Sequence, residues 1–276
     1  MTKVPTLTLN NGTEMPQLGF GVWQVPDSEA VKAVTTALEA GYRSIDTAAA
    51  YGNEEGTGQA IAASGTPREE LFVTTKLSNA DQGYDSALRA FDTSLAKLGL
   101  DYVDLYLIHW PRPAAGMYVD TYKAFEKILA DGRARAIGVS NFLPEHLERL
   151  IGETSVVPAV NQIELHPQLA QAESRAFHRR HGVVTEAWSP LGQGKGLLEV
   201  PTVVAVARKH DRSPAQVVLR WHLQLGHVAI PKSVTPSRIR ENIEVFDFEL
   251  DADDLAAFAA LDEGRRVGPH PATFGV

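Results

Sequence analysis

A rhythm constrains this chain more than anything else in it: short apolar, β-branched runs recur eight times, separated by amphipathic stretches of about 10 to 15 residues. The runs are 18–21, 43–46, 71–76, 103–109, 134–139, 159–162, 183–187 and 228–230. Between them lie helical patterns such as Ser28 to Ala40, Glu54 to Ser64, Asp85 to Leu98 and Tyr118 to Ala130, several closed by a glycine. Parallel strands need crossover connections, and eight strand–helix units of this length close most readily into an α/β (β/α)8 TIM barrel. A doubly wound sheet is the alternative. It would carry a third glycine after the first strand, and Gly19-Phe-Gly21-Val-Trp-Gln lacks it. With 276 residues and no linker, low-complexity tract or solenoid-period repeat, the span 1–276 is expected to be a single barrel domain.

Three further elements are legible. The segment Leu7 to Met15 alternates around Asn11-Gly12, which predicts an N-terminal β-hairpin with a type I′ turn, lying as a lid on one barrel end. Two extra helices fit near Thr202 to His210 and Asp251 to Leu261. Ser213-Pro214 reads as an N-cap followed by a first-turn proline.

Composition narrows the function. A formal charge of −8 argues against nucleic acid as a partner, because that affinity rests on Lys and Arg neutralising phosphates. The absence of cysteine removes thiol nucleophiles and Cys-based zinc sites. No apolar run reaches the roughly 18 residues of a membrane span and the start carries no signal-peptide stretch, so a cytoplasmic protein without a membrane partner is expected, with monomer as the default. Metal ligation is not expected: there is no HExxH, and His178-x-x-His181 falls inside a helical pattern and reads as solvated surface, like Arg179-Arg180-His181. Hydrolysis through a Gly-x-Ser-x-Gly elbow is absent too.

Barrel chemistry sits where strands end, so the informative residues are those at which an apolar run turns polar. Strand by strand these are Asp46, Lys76, His109, Ser140-Asn141, Gln162, Trp188-Ser189 and Lys232. Singly, each reads more simply as a cap or turn former. Together, Asp46, Tyr51, Lys76 and His109 near Trp23 and Trp110 suit acid–base work. A tyrosine gives up its proton with difficulty at pH 7 unless a cation favours the phenolate. Lys76 is placed to be that cation, Asp46 to hold it, and His109 to share the charge on a substrate oxygen. Such a device protonates an oxyanion and needs a redox cofactor to carry the hydride. For its phosphates, Ser189-Pro-Leu-Gly-Gln-Gly-Lys195 follows the seventh strand, with Gly192-x-Gly194-x-Gly196 giving backbone N–H groups access. Lys232 and Arg238 flank a helix start after the eighth strand, and two cations there favour the 2′-phosphate of NADPH over NADH.

Over nearly its whole length the sequence resembles the aldo-keto reductases. The matching stretches are Gly41-Tyr-Arg-Ser-Ile-Asp-Thr-Ala-Ala-Ala-Tyr-Gly-Asn-Glu-Glu55, Thr75-Lys-Leu77, Asp104-Leu-Tyr-Leu-Ile-His-Trp-Pro111, Ile137-Gly-Val-Ser-Asn-Phe142, Asn161-Gln-Ile-Glu-Leu-His-Pro167 and Ile230-Pro-Lys-Ser233. The resemblance implies a catalytic tetrad of Asp46, Tyr51, Lys76 and His109 with Tyr51 the general acid. It also implies Ser140, Asn141 and Gln162 on the nicotinamide carboxamide and an aromatic, here Trp188, stacked on the ring. Tryptophan at that place, Ser189 to Lys195 and Val245-Phe-Asp-Phe-Glu249 are similar to the bacterial 2,5-diketo-gluconate reductase branch. Carried over further, Ser189, Leu191 and Gln193 meet the pyrophosphate, Lys232, Ser233, Thr235 and Arg238 the 2′-phosphate, and Glu241 and Asn242 the adenine. Val22 and Val234 join the expected cofactor contacts, and Ala49 joins Trp23, Trp110 and His109 on the substrate wall. One departure is Ser78, where many members carry a tryptophan, which implies a wider pocket.

The expected function is therefore NADPH-dependent reduction of small carbonyl compounds: aldehydes, α-dicarbonyls and keto-sugars such as 2,5-diketo-gluconate. An NADPH-binding regulatory barrel with little turnover is the alternative, and a metal-dependent barrel hydrolase is disfavoured by the missing ligand spacings. Trp221, His222 and the His166-Pro167 turn read as packing. The short tail after Asp262 suggests an open site, which His270 and Phe274 could touch.

Overall fold

The computed structural model describes residues 4–275, so the two ends of the 1–276 span, residues 1–3 and 276, lie outside the described residues. Two strands, β1 (Thr6–Thr8) and β2 (Glu14–Pro16), pair antiparallel with Leu7 opposite Met15. Eight parallel strands follow: β3 (Phe20–Gly21), β4 (Ser44–Asp46), β5 (Phe72–Leu77), β6 (Val103–Ile108), β7 (Ala134–Ser140), β8 (Val160–Glu164), β9 (Val184–Trp188) and β10 (Val228–Ala229). Each is hydrogen-bonded to its neighbours in sequence order. The first closes on the last, because Leu18 bridges Ala229 and the Gly19 amide donates to the Ala229 carbonyl at 2.9 Å. The sheet is thus the expected barrel, with every strand near its expected place.

Helices α1 (Asp27–Ala40), α2 (Glu54–Ala63), α3 (Tyr84–Leu98), α4 (Tyr118–Ala130), α5 (Pro144–Glu153) and α6 (Ala172–His181) alternate with the strands. The extra α7 (Pro201–Lys209) precedes α8 (Pro214–Gln224), α9 (Pro236–Ile243) follows β10, and the extra α10 (Ala252–Ala259) ends the series. The helices stop and start for local reasons. Gly41 ends α1 at φ 108°, a left-handed turn that lets its amide reach the Ala37 and Leu38 carbonyls. Ser213 and Gln216 form a reciprocal capping box at the start of α8, as Ser213-Pro214 predicts.

The hairpin plugs the barrel at the N-terminal ends of the strands: buried Leu9 and Met15 pack with Phe72, Leu105, Leu107 and Val160. Its connection is not the type I′ turn the Asn11-Gly12 pair suggests. Among the residues of the turn only Gly12 has positive φ, at 86°, whereas a type I′ turn needs it at both central positions. The Gly12 amide closes onto the Leu9 carbonyl at 2.9 Å, so Asn10, Asn11 and Gly12 form a three-residue loop with its glycine left-handed. The pair alone cannot reveal that Asn11 is held from outside, its Nδ2 donating to the Arg135 carbonyl.

A second expectation also fails. His178 is fully buried rather than solvated, with its ring between Asn161 Nδ2 at 2.9 Å and Thr185 Oγ1 at 2.8 Å. Only the outer residues of that stretch, Arg179, Arg180 and His181, are exposed. Trp221 and His222 are buried packing, as expected. No helix among the described residues is long and apolar enough to cross a membrane.

Candidate active site

All the strand-end residues singled out by the sequence converge on the C-terminal mouth, opposite the hairpin. Asp46 ends β4, Lys76 sits one residue before the end of β5, and His109 follows β6. Tyr51 arrives from a short 3₁₀ turn, Ala49–Tyr51, closed by left-handed Gly52. What fixes that turn is the buried Asn53: its Nδ2 donates to the Val22 and Val25 carbonyls at 2.8 and 2.9 Å, and its Oδ1 accepts from Thr47 Oγ1 at 2.7 Å. Sequence reasoning passed over Asn53, whose only mark is its place two residues after Tyr51.

Lys76 is wholly buried and spends its three N–H bonds on Asp46 Oδ1 at 2.6 Å, the Thr47 carbonyl at 2.9 Å and Tyr51 Oη at 3.5 Å. Burial pushes its pKa down, but Asp46 and the nearby phenol and carboxylate push it up, and the sum lies above the ordinary lysine value. The ammonium is therefore permanent at neutral pH. For Tyr51, burial outweighs the opposing pull of Lys76 and leaves the phenol above its usual pKa. His109 lies edge-on to Tyr51, ring centroids 5.6 Å apart, and burial with Lys76 nearby lowers its pKa to about 3, so the imidazole is neutral.

Around these, Asn141 ties four strand ends together from a left-handed backbone, φ 64°. Its amide donates to the Gln162 carbonyl at 2.9 Å and its Nδ2 to the His109 carbonyl at 2.9 Å, while its Oδ1 accepts from Trp188 Nε1 at 2.7 Å. Such strain in a non-glycine residue gathers at functional sites. Ser140 Oγ donates to the Gln162 carbonyl at 2.8 Å. Gln162 Nε2 is shared between Asp46 Oδ2 at 2.8 Å and Glu186 Oε2 at 2.9 Å. Glu186 is a site residue the sequence reading did not single out. Its signal was available, a carboxylate inside the apolar run 183–187, level in the sheet with Gln162.

The other expected residues fall in two groups. Ser189 and Gln193 also have left-handed backbones, at φ 50° and 54°, and are linked by a 2.8 Å hydrogen bond beside half-buried Leu191. Lys232, Val234, Thr235 and Arg238 are exposed around the start of α9, where the Thr235 amide donates to Ser233 Oγ. Among the described residues neither Lys232 nor Arg238 has an ion-pair partner, which suits an anion site. Glu241 is half-buried and Asn242 buried further along α9. Val22 is buried with both backbone groups engaged, its amide on the Asp46 carbonyl and its carbonyl taking the Asn53 amide. On the wall, Trp23 is 41% exposed, Ala49 half-buried and Trp110 buried. The tail returns to the mouth: Phe274 packs on Trp110 at 4.3 Å between centroids, and Arg112 Nε donates to the Gly275 carbonyl. His270 is exposed, its Nδ1 turned back to the Ala272 amide.

The sequence profile of the Aldo/keto reductase family matches residues 12–263. The chain belongs to that family. It is accordingly an oxidoreductase, and its barrel is the family's fold. Among its relatives are an aldo-keto reductase of Mycolicibacterium smegmatis, 58% identical over 270 residues and covering 98% of each chain. Another is the methylglyoxal reductase DkgA of Yersinia pestis, 52% identical and covering 100% of this chain and 99% of that one. A crystal structure of a Gox0644 variant in complex with NADPH superposes with a TM-score of 0.95 at 48% identity, covering 100% of both chains. The expected aldo-keto reductase resemblance is thus correct.

Proposed function

We propose that this aldo-keto reductase reduces small carbonyl compounds with NADPH, Tyr51 donating the proton. The substrate class comprises aldehydes, α-dicarbonyls and keto-sugars such as 2,5-diketo-gluconate. The observation that carries the reading is the completely buried Lys76, bonded at once to Asp46, the Thr47 carbonyl and the Tyr51 oxygen at the barrel mouth. A methylglyoxal reductase and an NADPH complex among the relatives support the substrate class and the coenzyme.

The residues present fit the coenzyme. Gln162 spends both amide hydrogens on carboxylates, which leaves its Oε1 to accept from a carboxamide, with Ser140 and Asn141 alongside. Ser189, Leu191 and Gln193 suit the pyrophosphate, Lys232, Ser233, Val234, Thr235 and Arg238 the 2′-phosphate, and Glu241 and Asn242 the adenine. Val22 borders the same groove. Bound NADPH supplies the hydride. Tyr51 holds its proton because burial keeps the phenol neutral, and gives it to the carbonyl oxygen as negative charge grows there. Lys76 then stabilises the phenolate, and Asp46 holds Lys76 in place. Neutral His109 presents a ring N–H to the same oxygen. Trp23, Ala49 and Trp110 wall the substrate.

Replacing Tyr51 by Phe removes the proton and little else. We expect kcat to fall by about 10²- to 10⁴-fold with NADPH affinity kept, read from steady-state NADPH oxidation and from fluorescence titration. A Tyr51→Phe enzyme with wild-type kcat would remove Tyr51 from the proton-donor role. A wild-type protein that binds NADPH tightly but turns over none of these carbonyls would instead be a regulatory barrel.

A further inference from the structure

Two carboxylates share the buried end of this site, and the chemistry above uses one. Asp46 is paired with Lys76; Glu186, only 1% exposed, is not. Its protein partner is the Gln162 amide, which holds the two acids apart by donating one hydrogen to each. In the sheet Glu186 lies level with Gln162 on one side and apolar Val228 on the other. The charged and titratable groups that act on it are Asp46 and Lys76, with Tyr51 also within its field. One ammonium cannot neutralise two buried carboxylates, so burial and the Asp46 charge raise the Glu186 pKa to about 8.

We propose that Glu186 is a positioning residue that sets which oxidation state of the coenzyme the site prefers. The inference rests on the coenzyme reading above, in which Gln162 faces the nicotinamide carboxamide. Glu186 acts through that amide in two ways. It fixes the orientation of Gln162, because both amide hydrogens must face the acids and the oxygen must face the ligand. It also places a switchable charge behind the nicotinamide. The oxidised ring is a cation and the reduced ring is neutral, so an ionised Glu186 favours NADP⁺ and a protonated one does not. At neutral pH the protonated acid leaves the site without that bias, so this group does not hold the oxidised coenzyme more tightly than the reduced one. By linkage, binding of NADP⁺ expels the Glu186 proton and binding of NADPH does not.

The test is the ratio of dissociation constants, Kd(NADPH)/Kd(NADP⁺), measured by quenching of tryptophan fluorescence between pH 6 and 9. Ionisation of the coenzyme phosphates, common to both forms, cancels in the ratio. In the wild type the ratio rises with pH by about tenfold, the order expected for a charge pair at an effective dielectric constant near 20. In Glu186→Gln, an uncharged isostere, it stays flat at the wild-type low-pH value. A wild-type ratio independent of pH, or a rise that persists unchanged in Glu186→Gln, overturns the proposal. The wild-type measurement decides even where the variant fails to fold. Failure of both coenzymes to bind at any pH overturns the coenzyme reading itself, and the proposal with it.

Discussion

At the scale of single residues, the site works by assigning each buried donor to an acceptor before substrate arrives. Lys76 has three hydrogens and three partners, and Asn141 and Gln162 are similarly committed, so the polar groups left over define where ligands go. Lys232 and Arg238 are the opposite case, exposed cations that lack carboxylate partners among the described residues. Lys232→Ala combined with Arg238→Ala should raise Kd for NADPH by about 10- to 100-fold, since bonds to charged groups contribute roughly 1.5 to 3 kcal/mol each at best and less when exposed. NADH affinity should barely move. Equal losses for the two coenzymes in parallel titrations would contradict a 2′-phosphate site. The gathering of Asp46, Lys76 and His109 at one mouth was legible in the sequence because barrel strand ends share one rim. Glu186 left one mark in the sequence, a carboxylate inside an apolar run, but nothing in a strand's own sequence says that its inward neighbour is an amide shared with an aspartate.

At the scale of elements, the C-terminal tail does more than its length suggested. Glu164, at the end of β8, accepts from the Val267 and Gly268 amides and from His166, and Lys195 reaches over to the Val267 carbonyl at 2.8 Å. These bonds press Gly268 onto Trp188 so closely that a Cβ there would lie 2.4 Å from the indole ring. The tail thereby sets the position of the aromatic proposed to stack on the coenzyme. Gly268→Val should displace Trp188, shift the protein's tryptophan emission and raise the KM for NADPH several-fold, while the far-ultraviolet circular dichroism stays that of the wild type. Unchanged emission and KM would show that the tail and Trp188 are not coupled. The return of the tail was not legible in the sequence for a physical reason: a segment without periodic hydrophobicity carries no sign of the hydrogen bonds that fold it back.

At the scale of the whole molecule, the buried histidines make stability depend on acid. Burial lowers the pKa of His109 and His227 to about 3 and that of His178 to about 4. The unfolded chain binds these protons from about pH 6.5 downward and the folded one does not, so the stabilisation is complete above that pH and is lost as pH falls toward 4. Glu186 has the reverse sign: its raised pKa costs stability as pH climbs from the ordinary glutamate range toward 8. The melting temperature should therefore peak near pH 6 to 7 and fall steeply below pH 5.5, as thermal unfolding across pH 4 to 9 would reveal. A flat profile between pH 4 and 6.5 would mean that these rings are not buried neutral in solution.

The order of eight strands and their helices, and the placing of Asp46, Lys76 and His109 at the strand ends, followed from the sequence alone, because the periods of apolar residues and the caps that punctuate them are local properties. What needed the tertiary structure was everything that depends on which residues become neighbours across the barrel. The burial of His178, the bridge from Asp46 through Gln162 to Glu186, the external tether on Asn11 and the return of the tail to Trp110 and Trp188 are of that kind. They join residues up to 164 positions apart, as Trp110 and Phe274 are. Contact at such separation is decided by the closing of the sheet, which brings side chains from distant strands to one level, and no periodicity along the chain encodes it.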